Sequence, residues 1–269
     1  MKKRNAMNKV SKVLSLATTI TIALTGVAMA TPSTQIWIPS TDIQTYKTIH
    51  LGIDNYFRAS GVSKSPPTTA ASRDANIMDI GPTVGISPYE KVKAEVGFDY
   101  LVNANDPNDN HPWSGNFKIG TPEDSIFKSS PAIALGMYNL GPSQSQSIAP
   151  LVTSGQNIVY ALMAKTLPVV GRLSAGYYHG SEKALVNTSG NSANDGVLLS
   201  WDRAMTEIND KLWFAVDYQG GNNVDGAVNF GGSWNFAPNV SVIFGYDVYT
   251  KQSLAGNNTF TTQLDINFP

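Results

Sequence analysis

From Lys91 to Asn103 the chain alternates without a break. Val92, Ala94, Val96, Phe98, Tyr100 and Val102 make one face; Lys93, Glu95, Gly97, Asp99, Leu101 and Asn103 make the other. Alternation with period two is the pattern of a β-strand that has one apolar and one wetter face. Strands of soluble domains usually run to about five or six residues. A strand tilted across a bilayer needs about 9–11, and the 13 residues here suit the second case. This is the strongest constraint in the sequence, because the pattern recurs.

Twelve segments carry it: 46–57, 76–86, 91–103, 115–120, 131–140, 156–166, 169–180, 196–205, 211–219, 226–236, 240–250 and 258–268. Their connections differ in kind. Those after the second, sixth, eighth and tenth segments are short, with a ten-residue exception at 121–130 after the fourth. Those after the first, third, fifth and seventh are long and polar; the last two are moderate and rich in Gly and Asn. Short turns at one end and longer loops at the other mark an outer-membrane barrel. The fold predicted is therefore all-β: a closed antiparallel transmembrane β-barrel of about 12 strands, with short periplasmic turns and longer external loops. An even strand number places both ends of the barrel on the periplasmic side. A soluble β-sandwich is the competing fold, but nothing in it requires the alternation of loop lengths.

Residues 1–30 read as a secretory signal peptide. Lys2, Lys3, Arg4, Lys9 and Lys12 precede an uncharged run from Val13 to Val27, and Ala28-Met29-Ala30 offers a small-x-small cleavage site. Residues 31–45 then form a periplasmic N-terminal segment, and 46–269 the barrel. The apolar STQIWI stretch within that segment (Ser33–Ile38) could plug the lumen, pair with the wall or lie free in the periplasm. The leader holds five of the 19 basic residues and none of the 20 acidic ones. The remainder is net acidic, which argues against nucleic acid as a partner. Without cysteine there is no disulfide framework, no lipidated cysteine and no covalent haem site. No later segment approaches 18 consecutive apolar residues, so no transmembrane helix is expected.

The last segment alternates Phe260, Thr262, Leu264, Ile266 and Phe268 against Thr261, Gln263, Asp265 and Asn267. Here the chain resembles bacterial outer-membrane β-barrel proteins, whose C-terminal strand alternates and ends in an aromatic; Pro269 after Phe268 departs from that ending. Through STQIWIPSTD at 33–42 and LLSWDRAM at 198–205 it also looks like a group of porin-like envelope proteins. That resemblance implies a barrel in the bacterial outer membrane, surrounded by outer-membrane lipid and inserted by barrel-assembly machinery, with no catalytic residues. Outward aromatics agree: Phe57, Tyr100, Tyr218, Tyr246 and Phe260 near the outer ends of their strands, Phe236 and Phe268 at the inner ends.

The ascending strands share a three-residue pattern: small, apolar, then Asp or Tyr. Read at one level, the third positions form a lumenal set: Asp54, Asp99, Tyr138, Tyr178, Asp217 and Asp247. Asp54, Asp99, Asp217 and Asp247 would share one half of the wall as an acidic ring, and Tyr138 and Tyr178 the other. Lys118, Lys165 and Arg172 form a basic wall on the tyrosine side, nearer the periplasm. With Asp79, Glu95, Asp202 and Asp265 the inward acids number eight, against four bases including Lys93. Charged rings set ion preference, so a mild preference for cations is expected. Barrels of eight strands are filled by side chains and those of 16–18 hold water. Twelve lies between, so a plugged lumen is the opposing expectation.

Other signals are weak. Asp106, Asn108 and Asn110 suggest a calcium loop, but His111 and Phe117 stand where its glycine and closing glutamate belong; no metal or cofactor is expected. His179 faces lipid by parity, as a membrane-embedded lipase would require of its base. No outward serine matches its level, and Ser181 and Ser192 fall in a loop. The function expected is a porin-like channel for passive diffusion of small hydrophilic solutes or ions, without enzymatic activity. The alternatives are a non-conducting barrel that docks an envelope assembly through the loops at 58–74 and 141–155 and, more remotely, a lipase. The oligomeric state is not legible.

Overall fold

The computed structural model describes residues 33–59, 76–103, 112–142 and 154–269. The chain forms β1 (Ile49–Arg58), β2 (Ile77–Gly85), β3 (Lys93–Asn103), β4 (Trp113–Thr121), β5 (Ala132–Leu140) and β6 (Ile158–Leu167). It continues with β7 (Gly171–His179), β8 (Asp195–Ala204), β9 (Leu212–Gln219), β10 (Ala227–Ala237), β11 (Val240–Tyr249) and β12 (Thr259–Phe268). A four-residue helix, α1 (Gln252–Ala255), sits in the last loop. Each strand pairs antiparallel with its sequence neighbours, and β1 pairs with β12 from Ile49↔Phe268 to Arg58↔Thr259, closing the barrel. Closure matters because hydrocarbon offers nothing to an unpaired N–H or C=O.

Strand bounds fall within two residues of those read from the alternation, apart from the start of β1, which comes three residues later, at Ile49. The β4–β5 register shifts between Gly115 and Phe117, an irregularity that a pattern of period two does not reveal. The connection before β5 is made of turns and bends. It is tied to β6: Glu123 accepts from the backbone and hydroxyl of Thr166 and pairs with Lys165 at 2.9 Å. Partial burial works against the Glu123 charge, but these bonds prevail and hold its carboxyl below its usual range.

The exterior is apolar. Val96, Phe98, Leu135, Met163, Leu173, Phe214 and Phe244 point outward and are exposed along the strands. Near the long-loop end, Tyr100 and Tyr246 stack edge-on against Trp113 (4.7 Å) and Phe260 (4.9 Å). At the short-turn end Phe236 and Phe268 are exposed. Inside lie Asp202, Asp217, Asn229, Asp247, Gln263 and Asp265, all buried. A closed barrel that is greasy outside, polar inside and ringed by aromatics is a transmembrane barrel of the bacterial outer membrane. Among the described residues, no helix is long and apolar enough to cross a membrane.

Candidate functional site

The lumen is not empty. Residues 33–45, expected at the periplasmic end, run up into the barrel from that end and return to it as a tight hairpin. Its arms are joined by Gln35 N–H to Ile38 C=O (2.8 Å) and Ser40 N–H to Ser33 C=O (3.1 Å), with Thr34 opposite Pro39. Its base is tied to the wall where Lys47 N–H donates to Gly85 C=O (2.9 Å). Of the three places the sequence left open for STQIWI, the structure selects the lumen.

The wall supplies partners for the hairpin backbone. Asp217 accepts from the N–H of Ile36 (2.8 Å) and of Trp37 (2.9 Å), and its other oxygen accepts from Asn229 (2.7 Å). Gln263 donates to the Ile36 carbonyl (2.6 Å), and Gln35 donates to Asp202 (3.0 Å). Ile36 packs among Trp213, Ala215 and Ile243. Gly231 and Gly245, partners across β10 and β11, leave its space: a Cβ there would stand 3.2 and 3.3 Å from its methyl groups. Ile38 joins a larger cluster with Ile158, Tyr160, Leu162, Tyr178 and Leu198.

Lys118, Arg172 and Lys165, the expected basic wall, are spent at the hairpin base and the rim. Lys118 pairs with Glu95 at 3.1 Å, both nearly inaccessible, and also donates to the carbonyls of Ser33 (2.8 Å) and Asp42 (2.7 Å). Glu95 also accepts from Ser33 Oγ (2.9 Å) and Gln44 N–H (2.6 Å). Arg172 bridges Asp42 (2.7 Å) and Asp202 (2.8 Å). Lys165 stands at the periplasmic rim with Glu123 and Asp124. Each of the three therefore has a carboxylate partner.

From the outer end, three loops fold inward over the same half of the barrel. Leu185 (180–194), Val224 (220–226) and Ala255 of α1 bury themselves against the Ile38 cluster. Tyr178 donates to the Gly220 carbonyl (2.8 Å) and accepts from Asn223 (2.9 Å). Asp225 accepts from Gln156 (2.9 Å); burial pushes its carboxyl up to about 6, against the opposing effect of that bond.

A cavity of about 210 Å³ stands open mainly on the β1–β4 side. Its walls hold Asp54, Asp79 and Asp99, with Asp265 and Tyr56; Trp37 of the hairpin forms one face and Tyr138 another. Trp37 meets Tyr56 edge-on at 5.3 Å and Tyr249 at 5.8 Å. Asp99 leans across Gly81, where a Cβ would lie 1.9 Å from its Oδ1, and accepts from Asn116 (2.7 Å). Of the expected acidic ring, then, the structure brings Asp54 and Asp99 to the cavity. Asp217 holds the hairpin, and Asp247 is buried away from the cavity with Thr259 as donor (2.6 Å). Tyr138 receives a bond from Gln219 (3.3 Å) at the cavity wall.

Tyr56, Trp37, Tyr249 and Arg58, whose guanidinium lies 5.5 Å above the Tyr249 ring, were not singled out from sequence. Inward parity was the available signal for both tyrosines. His179 is exposed, and its Nε2 meets Asn194 at 3.4 Å; the Ser192 hydroxyl donates to that same Asn194 (2.7 Å). Among the described residues no serine–histidine hydrogen bond is present, and no cluster of His, Asp and Glu is suited to a metal ion. The calcium-like stretch 106–111, residues 1–30 and most of the two expected docking loops lie outside the described residues.

No protein-family model and no curated protein matches the chain. Solved barrels do. The NanC porin is 10% identical, with 81% of this chain and 99% of that one covered and a TM-score of 0.44. An outer-membrane channel from Pseudomonas putida F1 is 11% identical (84% and 96% covered, TM-score 0.46). Omp33 of Acinetobacter baumannii is 10% identical (83% and 98% covered, TM-score 0.39). Likeness at this level carries no functional argument.

Proposed function

We propose that this barrel is a narrow porin-like channel through which small hydrophilic cations diffuse, on a path beside the lumenal hairpin. One observation carries the reading: the space left open is lined mainly by carboxyl groups, and the two bases that border it, Lys118 and His50, are both held by partners. Six carboxyl side chains border the cavity, against Lys118 and His50. Lys118 is held by Glu95 and two carbonyls, and His50 stands between Asp265 (3.6 Å) and Asn267 (3.2 Å). A fixed excess of one sign along a narrow, low-dielectric path favours the opposite ion. The reading requires no chemistry, so the protein is not an enzyme on it. Insertion by barrel-assembly machinery follows from the same reading.

The hairpin itself favours a second reading, a non-conducting barrel that anchors or docks other envelope components. Single-channel recording of the full chain in a planar bilayer separates the two. Small, stable steps whose reversal potential in a salt gradient favours cations support the channel. Silence from well-folded, heat-modifiable protein rejects it and leaves the anchoring role.

A further inference from the structure

We propose that the cavity beside the hairpin binds small organic ammonium ions, a primary –NH₃⁺ on a short carbon stem. This deepens the cation-channel reading and rests on it for its biological setting. Asp54 and Asp79 stand directly opposite each other on β1 and β2. Asp99 reaches the same space from β3 over Gly81. The three are close enough for their charges to repel.

The second observation is independent of that clustering. Asp54, Asp79 and Asp265 each keep one carboxyl oxygen that is buried and has no hydrogen-bond partner in the protein. Asp265 is 0% exposed and lines the same cavity; its other oxygen accepts from Ser241, and His50 Nε2 stands 3.6 Å from the unpartnered one, beyond hydrogen-bonding distance. A buried, unsatisfied acceptor is costly unless something donates to it, and no lysine or arginine donates to these oxygens. An ammonium group brings three donors and no acceptor, which suits a space bordered by several carboxyl groups.

The cavity also selects among cations. Among the described residues no set of acids or histidines is placed to chelate a metal. A volume of about 210 Å³ far exceeds the ~10–15 Å³ that a single water needs. Trp37, Tyr56, Tyr138 and Tyr160 give the cavity aromatic walls. These can cover a carbon stem and attract a cation through their faces. Acids at one side and aromatic rings at the other describe an organic cation better than sodium or potassium.

The test is calorimetric titration of the full chain in detergent micelles with three probes of equal length: butylammonium, butanol and butyrate. Butylammonium should bind saturably and at least about tenfold more tightly than the other two, and Asp54→Asn with Asp79→Asn should weaken it by a similar factor. Equal binding of all three probes, or no binding of butylammonium, overturns the proposal; so does a folded double variant that binds as well as the parent. Should that variant fail to fold, the three-probe comparison on the parent chain decides alone. Binding requires no current. A silent barrel that binds butylammonium refutes the channel and keeps this site, and a conducting one that does not refutes the site alone.

Discussion

The two halves of the lumen are built from the same kind of strand and end in opposite states. On the side of β6 to β11 the wall meets the hairpin and three inward-folded loops, and Asp202, Asp217 and Tyr178 bond to them. On the side of β1 to β4 the wall faces the cavity, and the carboxyl groups of Asp54, Asp79 and Asp99 border it. Asp217 and Asp54 occupy matching positions in their strands, yet one accepts two backbone N–H groups and the other borders the cavity. An inward aspartate therefore says nothing about its role until what fills the lumen is known. The hairpin divides the barrel into a packed half and a passage.

The largest expected effect breaks that division outright. Excising residues 33–44 should raise unitary conductance at least about threefold, because a 12-stranded barrel freed of filling approaches an aqueous pore. It should also weaken cation preference by widening the path; single-channel recording reads both. Next is Asp217→Ala, which removes the acceptor of two hairpin N–H groups. Bonds to a charged group contribute about 1.5–3 kcal/mol each. Urea unfolding should show a loss of about that size for at least one bond, and recordings should show intermittent large openings as the hairpin unseats. Ile38→Ala should destabilise by about 2–5 kcal/mol, the usual range for a buried aliphatic side chain cut to alanine. It should loosen the packed half without altering ion preference. Lys165→Ala should be smallest, since its ion pairs lie at a solvated rim; conductance and selectivity should not move.

Much of the barrel was legible because lipid and lumen impose opposite demands on alternate residues. Each strand thus carries its own evidence, and Val96, Phe98 and Tyr100 face out as their parity requires. The filling was not legible in the same way. Ser33–Ile38 is too short to cross a membrane, and its pattern does not say which surface covers Ile36 and Ile38. A clue was present: inward Asp202, Asp217 and Glu95 can accept more bonds than their wall partners Arg172, Asn229 and Lys118 supply, and the hairpin takes up the remainder. The loops hid a similar signal. Leu185, Val224 and Leu254 belong to brief apolar runs of one to three residues within polar stretches, and all three are buried. Chain order placed Lys118 and Arg172 on the wall correctly, but it could not show that Asp42 and Glu95 would hold them.

The division of the lumen is tested most directly by reversal potentials in a salt gradient for three proteins: the full chain, Asp54→Asn with Asp79→Asn, and Asp247→Asn. If the passage runs along β1 to β4, the full chain prefers cations, the double variant loses most of that preference, and Asp247→Asn keeps it. If Asp247→Asn erases the preference while the double variant retains it, the path lies elsewhere in the barrel and the division drawn here is wrong.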